Sequence, residues 1–342
     1  QLGSSGQSFA CFSGVSEPHE AAKCRETYYS SLVIDQGGLE ATRFRPSDVR
    51  SLTEALNHNS ESLEDPFDMA WIHHRMLYIL ARQKGHRVVL DGIDGDGVAA
   101  ITSTYPAYLL RKGNILSAQR EIRDMCLNYH SGGFPVSRKF QQLIRLAWTP
   151  AFLRSIKRRL SSERATWQDE PNFLQPEFAQ KMDLHRRIVN FYDDVATGLC
   201  GSLREAHAKR ITAPYATAGI ERYGRLAASS GIEQREPYQD RRVVEFCLSL
   251  PWRQLVRNGW SKFGLRRVAE RMLPQEAAWR PGRESIMWKF RDEWYRKRPP
   301  AAETFLPAVL SHLTHAVDVE KFEFELNQYI MCESEVVASI QN

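Results

Sequence analysis

Three aspartates and three glycines share a short loop that follows an apolar run. The run is Arg87-Val-Val-Leu90, and the loop is Asp91-Gly-Ile-Asp-Gly-Asp-Gly97. Glycines let backbone N–H groups approach a phosphate closely, and a carboxylate such as Asp96 can hold a Mg²⁺ ion that bridges phosphate oxygens. The pattern therefore suits a nucleotide. An acidic surface turn explains it as well, because Gly and Asp are favoured in turns for conformational reasons alone.

The segments around this loop predict strands that alternate with helices. Strand-like runs lie at about 8–13, 39–44 and 87–90, and a helix is predicted from Asp65 to Gln83. Such alternation implies a parallel sheet. Ligands of parallel sheets bind at the carboxyl ends of the strands, which is where the aspartate-rich loop lies.

The composition is that of a folded protein with a mild positive charge. The chain has 342 residues, enough for a large core, and its 46 Lys and Arg exceed its 41 Asp and Glu by 5. The excess is spread along the chain, unlike that of a nucleic-acid-binding surface. The six cysteines show no metal-binding spacing, and no apolar run is long enough to cross a bilayer. We therefore expect a soluble cytoplasmic protein with no nucleic-acid and no membrane partner.

A second block of motifs lies between residues 220 and 283. It contains Arg235-Glu-Pro-Tyr-Gln-Asp240 and Lys262-Phe-Gly-Leu-Arg266. Together with Gly92-Ile-Asp-Gly-Asp-Gly97, and in the same order, these segments resemble three motifs of the asparagine synthetase family. The motifs are the R-x-P-F-L-D turn, the K-x-x-L-R helix start and the G-x-G-[GS]-D-E loop. The family includes β-lactam synthetases and lasso-peptide macrolactam cyclases, and the resemblance covers most of residues 8–290.

This resemblance implies an α/β fold. Its partial Rossmann-like parallel sheet would be of the adenine nucleotide alpha hydrolase type, with a large, mainly helical remainder. Residues 1–342 would form one asparagine synthetase-like domain. Its parts would be sheet strands at about 8–14 and 87–92, a helical region at about 98–212, the part with Lys262 at about 213–290 and a helical tail at 291–342.

The resemblance also implies a ligase that forms carbon–nitrogen bonds. In this family a carboxylate attacks the α-phosphate of ATP, pyrophosphate leaves, and an amine then attacks the acyl-adenylate to form an amide. ATP and Mg²⁺ are the implied cofactors, and the implied type is the glutamine-hydrolysing asparagine synthase. The implied partners are a carboxylate, either aspartate or an unidentified acid or peptide, and ammonia or another amine. A non-catalytic remnant or partner subunit, and a peptide macrolactam cyclase, stay open as alternatives.

The resemblance assigns roles to individual residues. Asp96 matches the family's Mg²⁺ ligand in this loop, and Lys262 matches the lysine that contacts the phosphates and the oxyanion of the amide-forming step. The predicted cofactor-binding residues are Gly14, which would lie near the adenine edge, Asp91, Gly92 and Gly95. This interpretation requires Asp96 and Lys262, distant in the sequence, to face each other across a cleft.

Several of the motif residues also have simpler explanations. We expect Asp240 to be the N-cap of the following helix. Arg222 and Arg235 either form ion pairs within the fold or contact the substrate. Lys262 could be a solvated lysine in the first turn of the helix that begins at Ser261, where a cation is mildly unfavourable against the helix dipole.

The sequence departs from its relatives in four respects. The family's S-G-G-x-D-S loop, which binds ATP phosphates, and the glutaminase domain are absent from the 342 residues. The segment Ser131–Ser137 resembles that loop but has Pro135 in place of the metal-binding Asp. We therefore expect the chain to be the C-terminal part of a longer protein and inactive alone. Ile93 replaces a Glu or Tyr linked to proton transfer, and Gly97 replaces an acidic residue.

Overall fold

The structure is a computed structural model. It describes residues 9–63, 65–100, 105–129, 136–148, 173–184, 186–188, 201–282, 285–296 and 311–324. The chain divides into two compact units, Gln1–Thr149 with Thr197–Arg291, and Pro150–Ala196 with Asp292–Asn342. The segment that resembles the ATP-binding loop lies outside the described residues, apart from Val136 and Ser137.

The strands of the first unit form two separate parallel pairs and one antiparallel hairpin. The parallel pairs are β1 (Phe9–Gly14) with β2 (Leu39–Phe44), and β3 (Val88–Leu90) with β4 (Glu233–Arg235); the hairpin is β5 (Val256–Arg257) with β6 (Trp260–Ser261). The α/β class and the parallel pairing are thus confirmed. The described strands do not join into one Rossmann-like sheet.

Helices account for most of the described chain. They are α1 (Arg25–Asp35), α2 (Thr53–Glu61), α3 (Ile72–Gln83), α4 (Gly95–Val98), α5 (Tyr105–Arg111), α6 (Ile115–Tyr129), α7 (Val136–Trp148), α8 (Pro176–Lys181), α9 (Leu203–Ile211), α10 (Pro214–Ala228), α11 (Arg241–Ser249), α12 (Trp252–Leu255), α13 (Phe263–Ala269), α14 (Gln275–Ala278) and α15 (Met287–Arg296). Within the described ranges, none of the helices has both the length and the apolar character that crossing a membrane requires.

The helix predicted from Asp65 to Gln83 is interrupted. Pro66–Ala70 form a 3₁₀ turn, and α3 begins only at Ile72. The fully buried carboxylate of Asp68 in this turn accepts hydrogen bonds from Arg222 at 2.9 Å and Arg225 at 2.8 Å. A buried charge must be paired, and the turn places Asp68 beside the two arginines of α10. Arg222 therefore forms an ion pair within the fold.

One hydrophobic core supports both parallel pairs of strands. Tyr78 of α3 and Leu226 of α10 are fully buried in this core. Phe12 of β1 and Val89 of β3 pack against it. The strand that leads into the aspartate-rich loop is therefore held by the same helices as β1.

A second core holds the hairpin. Leu110 of α5, Ile122 of α6 and Leu143 of α7 are buried together with Val256 of β5. Packing of Ile122 and Val256 in one core places the hairpin beside α6.

Two adjacent histidines on α3 pack against aromatic side chains. The ring centroids of His73 and His74 lie 5.1 Å apart, and the rings pack against Phe290 and Trp71, respectively. Neither Nδ1 atom has a hydrogen-bond partner among the described residues. Burial lowers the pKa of His73 to about 4 and that of His74 to about 3, the latter also through the charge of His73.

We expect stability to fall on mild acidification. An unfolded chain takes up a proton at each histidine near pH 6.5, whereas the folded chain does so only near pH 4 or below. The stabilisation is therefore complete above about pH 6.5 and is lost as the pH falls toward about 4. Urea unfolding should show a loss of about 1–2 kcal/mol per histidine between about pH 7 and pH 5.

The matched variants are a His73→Phe/His74→Leu pair and His58→Gln. His58 is 84% exposed in its side chain, so its replacement should leave the pH profile as it is. The double variant should have a flatter profile. A double variant with the same acid dependence as the parent would show that other groups cause it.

Candidate functional site

The loop after β3 turns sharply into α4. Asp94 has φ 60° and ψ 6° at the N-cap, and Asp96 lies in the first turn. The Nε2 atom of His207 on α9 is 3.1 Å from the carbonyl oxygen of Gly97 and 2.9 Å from that of Val98. Because both partners are acceptors, Nε2 carries the proton and donates. Burial lowers the pKa of His207, so a neutral imidazole fixes the end of the loop to α9.

The two motif segments meet at this loop. The N–H of Asp91 donates to the carbonyl oxygen of Arg235 at 2.9 Å, which continues the pairing of β3 with β4 by one residue. The ring of Tyr238 lies against Gly95, where an added Cβ would be 3.0 Å from it. Residues 92–97 and 235–240 therefore form one edge at the carboxyl ends of two parallel strands.

This edge is acidic. Asp91 follows β3 and Glu236 follows β4, so the parallel strands place them side by side. Burial raises the pKa of Asp91. Burial also raises the pKa of Glu236, with further contributions from the charges of Asp91 and Asp94. Carboxylates in such surroundings favour a cation nearby.

Lys262 reaches the loop from a different part of the chain. Its Nζ atom lies 2.6 Å from Oδ1 of Asp96, with side chains 29% and 58% exposed, respectively. Lys262 is the N-cap of α13, one residue before the helix begins at Phe263, and has φ 56° and ψ 34°. This left-handed conformation costs a non-glycine residue about 1–2 kcal/mol. Strain of this kind persists only where the surroundings impose it.

A tight hairpin imposes the position of Lys262. Asn258 and Gly259, with φ 50° and 72°, connect β5 to β6 as in a type I′ turn. The carboxylate of Glu121 on α6 accepts hydrogen bonds from both of their N–H groups, at 3.1 and 2.7 Å. Gly259 is so close to α6 that an added Cβ would lie 2.2 Å from the carbonyl carbon of Asp124. The hairpin is therefore fastened to α6 just before Lys262.

Tyr129, the last residue of α6, fixes Ser261, the residue before Lys262. Its hydroxyl accepts hydrogen bonds from the N–H of Ser261 at 3.0 Å and from Nη2 of Arg266 at 3.2 Å. It also forms a hydrogen bond with Oγ of Ser261 at 2.8 Å. Arg266 donates further to the carbonyl oxygens of Ser261 at 2.9 Å and Ala278 at 3.0 Å. Arg266 therefore donates to backbone carbonyl oxygens and to the Tyr129 hydroxyl, and these bonds hold α13 in place.

Replacement of Tyr129 by Phe should lower the free energy of unfolding by about 1–2 kcal/mol, because Ser261 and Arg266 lose their shared acceptor. Urea unfolding measures this loss. Tyr28→Phe is the matched control, since the Tyr28 hydroxyl donates to Glu276 in an exposed position. An equal, small loss in both variants would contradict the role given to Tyr129.

A cavity of about 670 Å³ opens beside the contact between Lys262 and Asp96. Its polar lining comprises Asp96, Tyr129, Ser261, Lys262, Arg266, Arg280 and Ser285, and its apolar lining comprises Leu265, Ala269, Leu273, Ala277 and Ala278. Three cationic side chains and one carboxylate line it, so the balance of charge favours an anionic ligand. The volume is that of a small-molecule site.

The structure brings two of the six predicted site residues, Asp96 and Lys262, to this cavity. Gly92 and Gly95 lie in the adjoining loop, and the space around Gly92 is open. Gly14 ends β1, where an added Cβ would be 2.4 Å from Nε2 of His73, so close packing requires a glycine there. The catalytic and cofactor-binding roles given to these residues stay predictions.

Two charged motif residues have structural roles. The carboxylate of Asp240 accepts a hydrogen bond from the N–H of Arg242 at 2.9 Å, which confirms it as an N-cap. Hydrogen bonds from the Arg242 side chain and N–H lower the pKa of Asp240 to about 2. Arg235 forms an ion pair with Glu233 at 2.8 Å.

Three residues that position the site could not be predicted from the sequence, namely Glu121, Tyr129 and His207. Each of them binds backbone groups of a segment more than a hundred residues away. No spacing along the chain identifies such a partner. The Asn-Gly pair of the hairpin was the one available signal, since this pair is typical of a two-residue turn.

One residue of the site, Asp96, can supply an oxygen ligand to a Mg²⁺ ion. Among the described residues, no group of three or more His, Cys, Asp or Glu side chains is arranged to hold a metal. Mg²⁺ at phosphate sites usually takes only one or two carboxylates, and phosphate oxygens and waters complete its shell. Asp96 therefore suits a Mg²⁺ ion that arrives with a nucleotide.

Comparisons with known proteins bear on the same residues. A family model described as asparagine synthase matches residues 4–331. No curated protein and no solved structure matches the chain. The matched region is nearly the whole sequence and includes the loop of Asp96, the turn before α11 and the N-cap Lys262. The chain therefore belongs to the asparagine synthase family.

Proposed function

We propose that this protein activates a carboxylate with ATP as an acyl-adenylate and then joins the acyl group to an amine. Membership of the family supports an ATP-dependent amidoligase. The contact that carries the proposal is that between Lys262 Nζ and Asp96 Oδ1, 2.6 Å apart beside a cavity with three cations. It joins the two residues to which the family resemblance gives the charge-stabilising roles.

In the first step, a carboxylate oxygen forms a bond to the α-phosphorus of ATP. The bond from that phosphorus to the bridging oxygen breaks, and pyrophosphate leaves with the electron pair. Lys262 is a fixed cation that stabilises the charge on the phosphate oxygens. When bound, Mg²⁺ would neutralise charge between the α- and β-phosphates, and Asp96 would supply one of its oxygen ligands.

In the second step, the amine nitrogen attacks the acyl carbon and AMP leaves. In this proposal Lys262 also stabilises the oxyanion of the tetrahedral intermediate. Its ammonium group contacts Asp96 in the aspartate-rich loop, beside the cavity. The amine must also lose a proton. Ile93 can neither accept nor donate one, so this proton goes to a group other than residue 93.

The substitution at position 93 supports a second candidate function. A family member without a proton acceptor there could keep the fold for binding a partner and lack catalysis. This candidate requires the cavity to bind ligands without turnover.

ATP–pyrophosphate exchange tests the choice between the two functions. The assay uses protein expressed from the complete reading frame and a panel of carboxylic acids that includes aspartate. We expect Mg²⁺-dependent exchange with at least one acid, because acyl-adenylate formation is reversible. Binding of ATP without exchange for any acid would favour the non-catalytic function.

A further inference from the structure

Two departures from the family motif contact each other within the aspartate-rich loop. Aligned with G-x-G-[GS]-D-E, residues 92–97 have Asp94 in place of the second glycine and Gly97 in place of the acidic residue. The N–H of Gly97 donates to the carbonyl oxygen of Asp94 at 2.8 Å, so the turn of α4 makes the two residues neighbours.

The side chain of Asp94 occupies the space at position 97. A Cβ added to Gly97 would lie 2.3 Å from Oδ1 of Asp94 and 3.0 Å from its Cγ. A side chain at residue 97 and a carboxylate at residue 94 in this conformation therefore exclude each other. The Asp94 carboxylate is therefore compatible with this conformation because residue 97 is a glycine.

The backbone of Asp94 has a left-handed conformation. Its φ of 60° is a conformation that glycine adopts freely and other residues adopt at a cost. The Nε2 atom of Gln239, in the turn before α11, donates a hydrogen bond to Oδ2 of Asp94. The carboxylate is thus held in place by the second motif segment. Strained backbone with a fixed side chain is typical of a functional position.

We propose that Asp94 supplies the acidic side chain that the family motif places at position 97. The carboxylate belongs to residue 94, yet its Oδ1 atom lies where a side chain at residue 97 would begin. Gly97 is the small residue that makes room for it. Asp94 is then an acidic side chain that accompanies Asp96 at the start of α4. The contribution of its charge to the binding of a divalent cation rests on the function proposed above.

A double-mutant cycle on folding stability tests the exchange of positions. The variants are Asp94→Gly, Gly97→Glu and the combination of both, compared by urea unfolding. Gly97→Glu alone should be destabilising because its Cβ meets the Asp94 carboxylate. The combination should be more stable than the sum of the single changes predicts, by at least tenfold in the unfolding equilibrium constant. Additive effects would overturn the proposal.

Binding of Mn²⁺ tests the role of the charge. The probe is Mn²⁺ with ATP, followed by electron paramagnetic resonance in protein from the complete reading frame. Asp94→Asn keeps a residue that tolerates the left-handed conformation and an oxygen for Gln239, and it removes only the charge. We expect Mn²⁺ binding to weaken by about tenfold, whereas Asp35→Asn on an exposed ion pair leaves it unchanged.

The combined variant completes this test. Asp94→Gly with Gly97→Glu should bind Mn²⁺ within about twofold of the parent, because the carboxylate returns to the motif's position. Unweakened binding in Asp94→Asn, or no recovery in the combined variant, would overturn the role of Asp94. Failure of the exchange assay would remove the proposed function without changing the folding cycle, so the two ideas fail separately.

Discussion

Replacement of Lys262 by Ala should reduce ATP–pyrophosphate exchange by about 10²–10³-fold, the usual loss when one preorganised charge-stabilising donor is removed. The ammonium group lies 2.6 Å from Asp96, and the fold holds it there through the hairpin, Glu121 and Tyr129. The left-handed backbone of Lys262 costs stability rather than adding to it. Its contribution should therefore be seen in the rate.

Three further variants identify what Lys262 does. Lys262→Arg keeps the charge but replaces a point-like ammonium by a planar group, so exchange should be partly restored. Asp96→Asn should also collapse the exchange, because the loop loses its proposed metal ligand. Lys321→Ala removes an exposed lysine that pairs with Asp318 and should leave exchange unchanged.

Stability separates a catalytic loss from unfolding. Lys262→Gly relieves the left-handed strain and should raise the free energy of unfolding by up to about 1 kcal/mol, while exchange collapses as in Lys262→Ala. Opposite changes in stability and rate are the signature of a functional position. Normal exchange in both Lys262→Ala and Asp96→Asn would remove these residues from the mechanism.

Local signals in the sequence were sufficient for several elements. The predicted strand at 39–44 is β2, and the predicted N-cap Asp240 does begin a helix. Both depend on a few consecutive residues, namely a short extended run and a carboxylate before a helical pattern. Interactions between residues close in the sequence determine these elements, so the sequence alone was sufficient to predict them.

Tertiary contacts decided what the sequence could not predict. The break in the helix predicted from Asp65 to Gln83 depends on Asp68 meeting arginines of α10, more than 150 residues away. The role of Gly14 near the adenine edge stays a prediction, but its close contact with His73, which also requires a glycine, could not be predicted from the sequence. A glycine in the sequence does not tell whether a ligand or a side chain fills the space beside it.

The site itself was predicted only in part. Asp96 and Lys262 were paired through the family resemblance, and the structure places them in contact. The resemblance could not reveal that Asp94 lies over Gly97, because each residue by itself looks like the loss of a motif position. Only their distance in three dimensions relates the two changes.

Gly259→Ala should be among the most damaging single substitutions in the first unit. The added Cβ would lie 2.2 Å from a backbone carbon of α6 at Asp124, and φ is 72°. The left-handed conformation costs about 1–2 kcal/mol, and overpacking against backbone adds about 1–3 kcal/mol. We expect the free energy of unfolding, measured in urea, to fall by about 2–5 kcal/mol and the melting temperature to fall accordingly.

Gly113→Ala isolates the steric part of this effect. Gly113 has nearly the same φ, 75°, but nothing lies within 4 Å of an added Cβ. Its loss should be limited to the conformational cost of about 1–2 kcal/mol. The difference between the two variants then measures how tightly the hairpin is fastened to α6. Equal losses would mean that the contact with Asp124 yields easily, and the hairpin could not then be what holds Lys262 in its strained conformation.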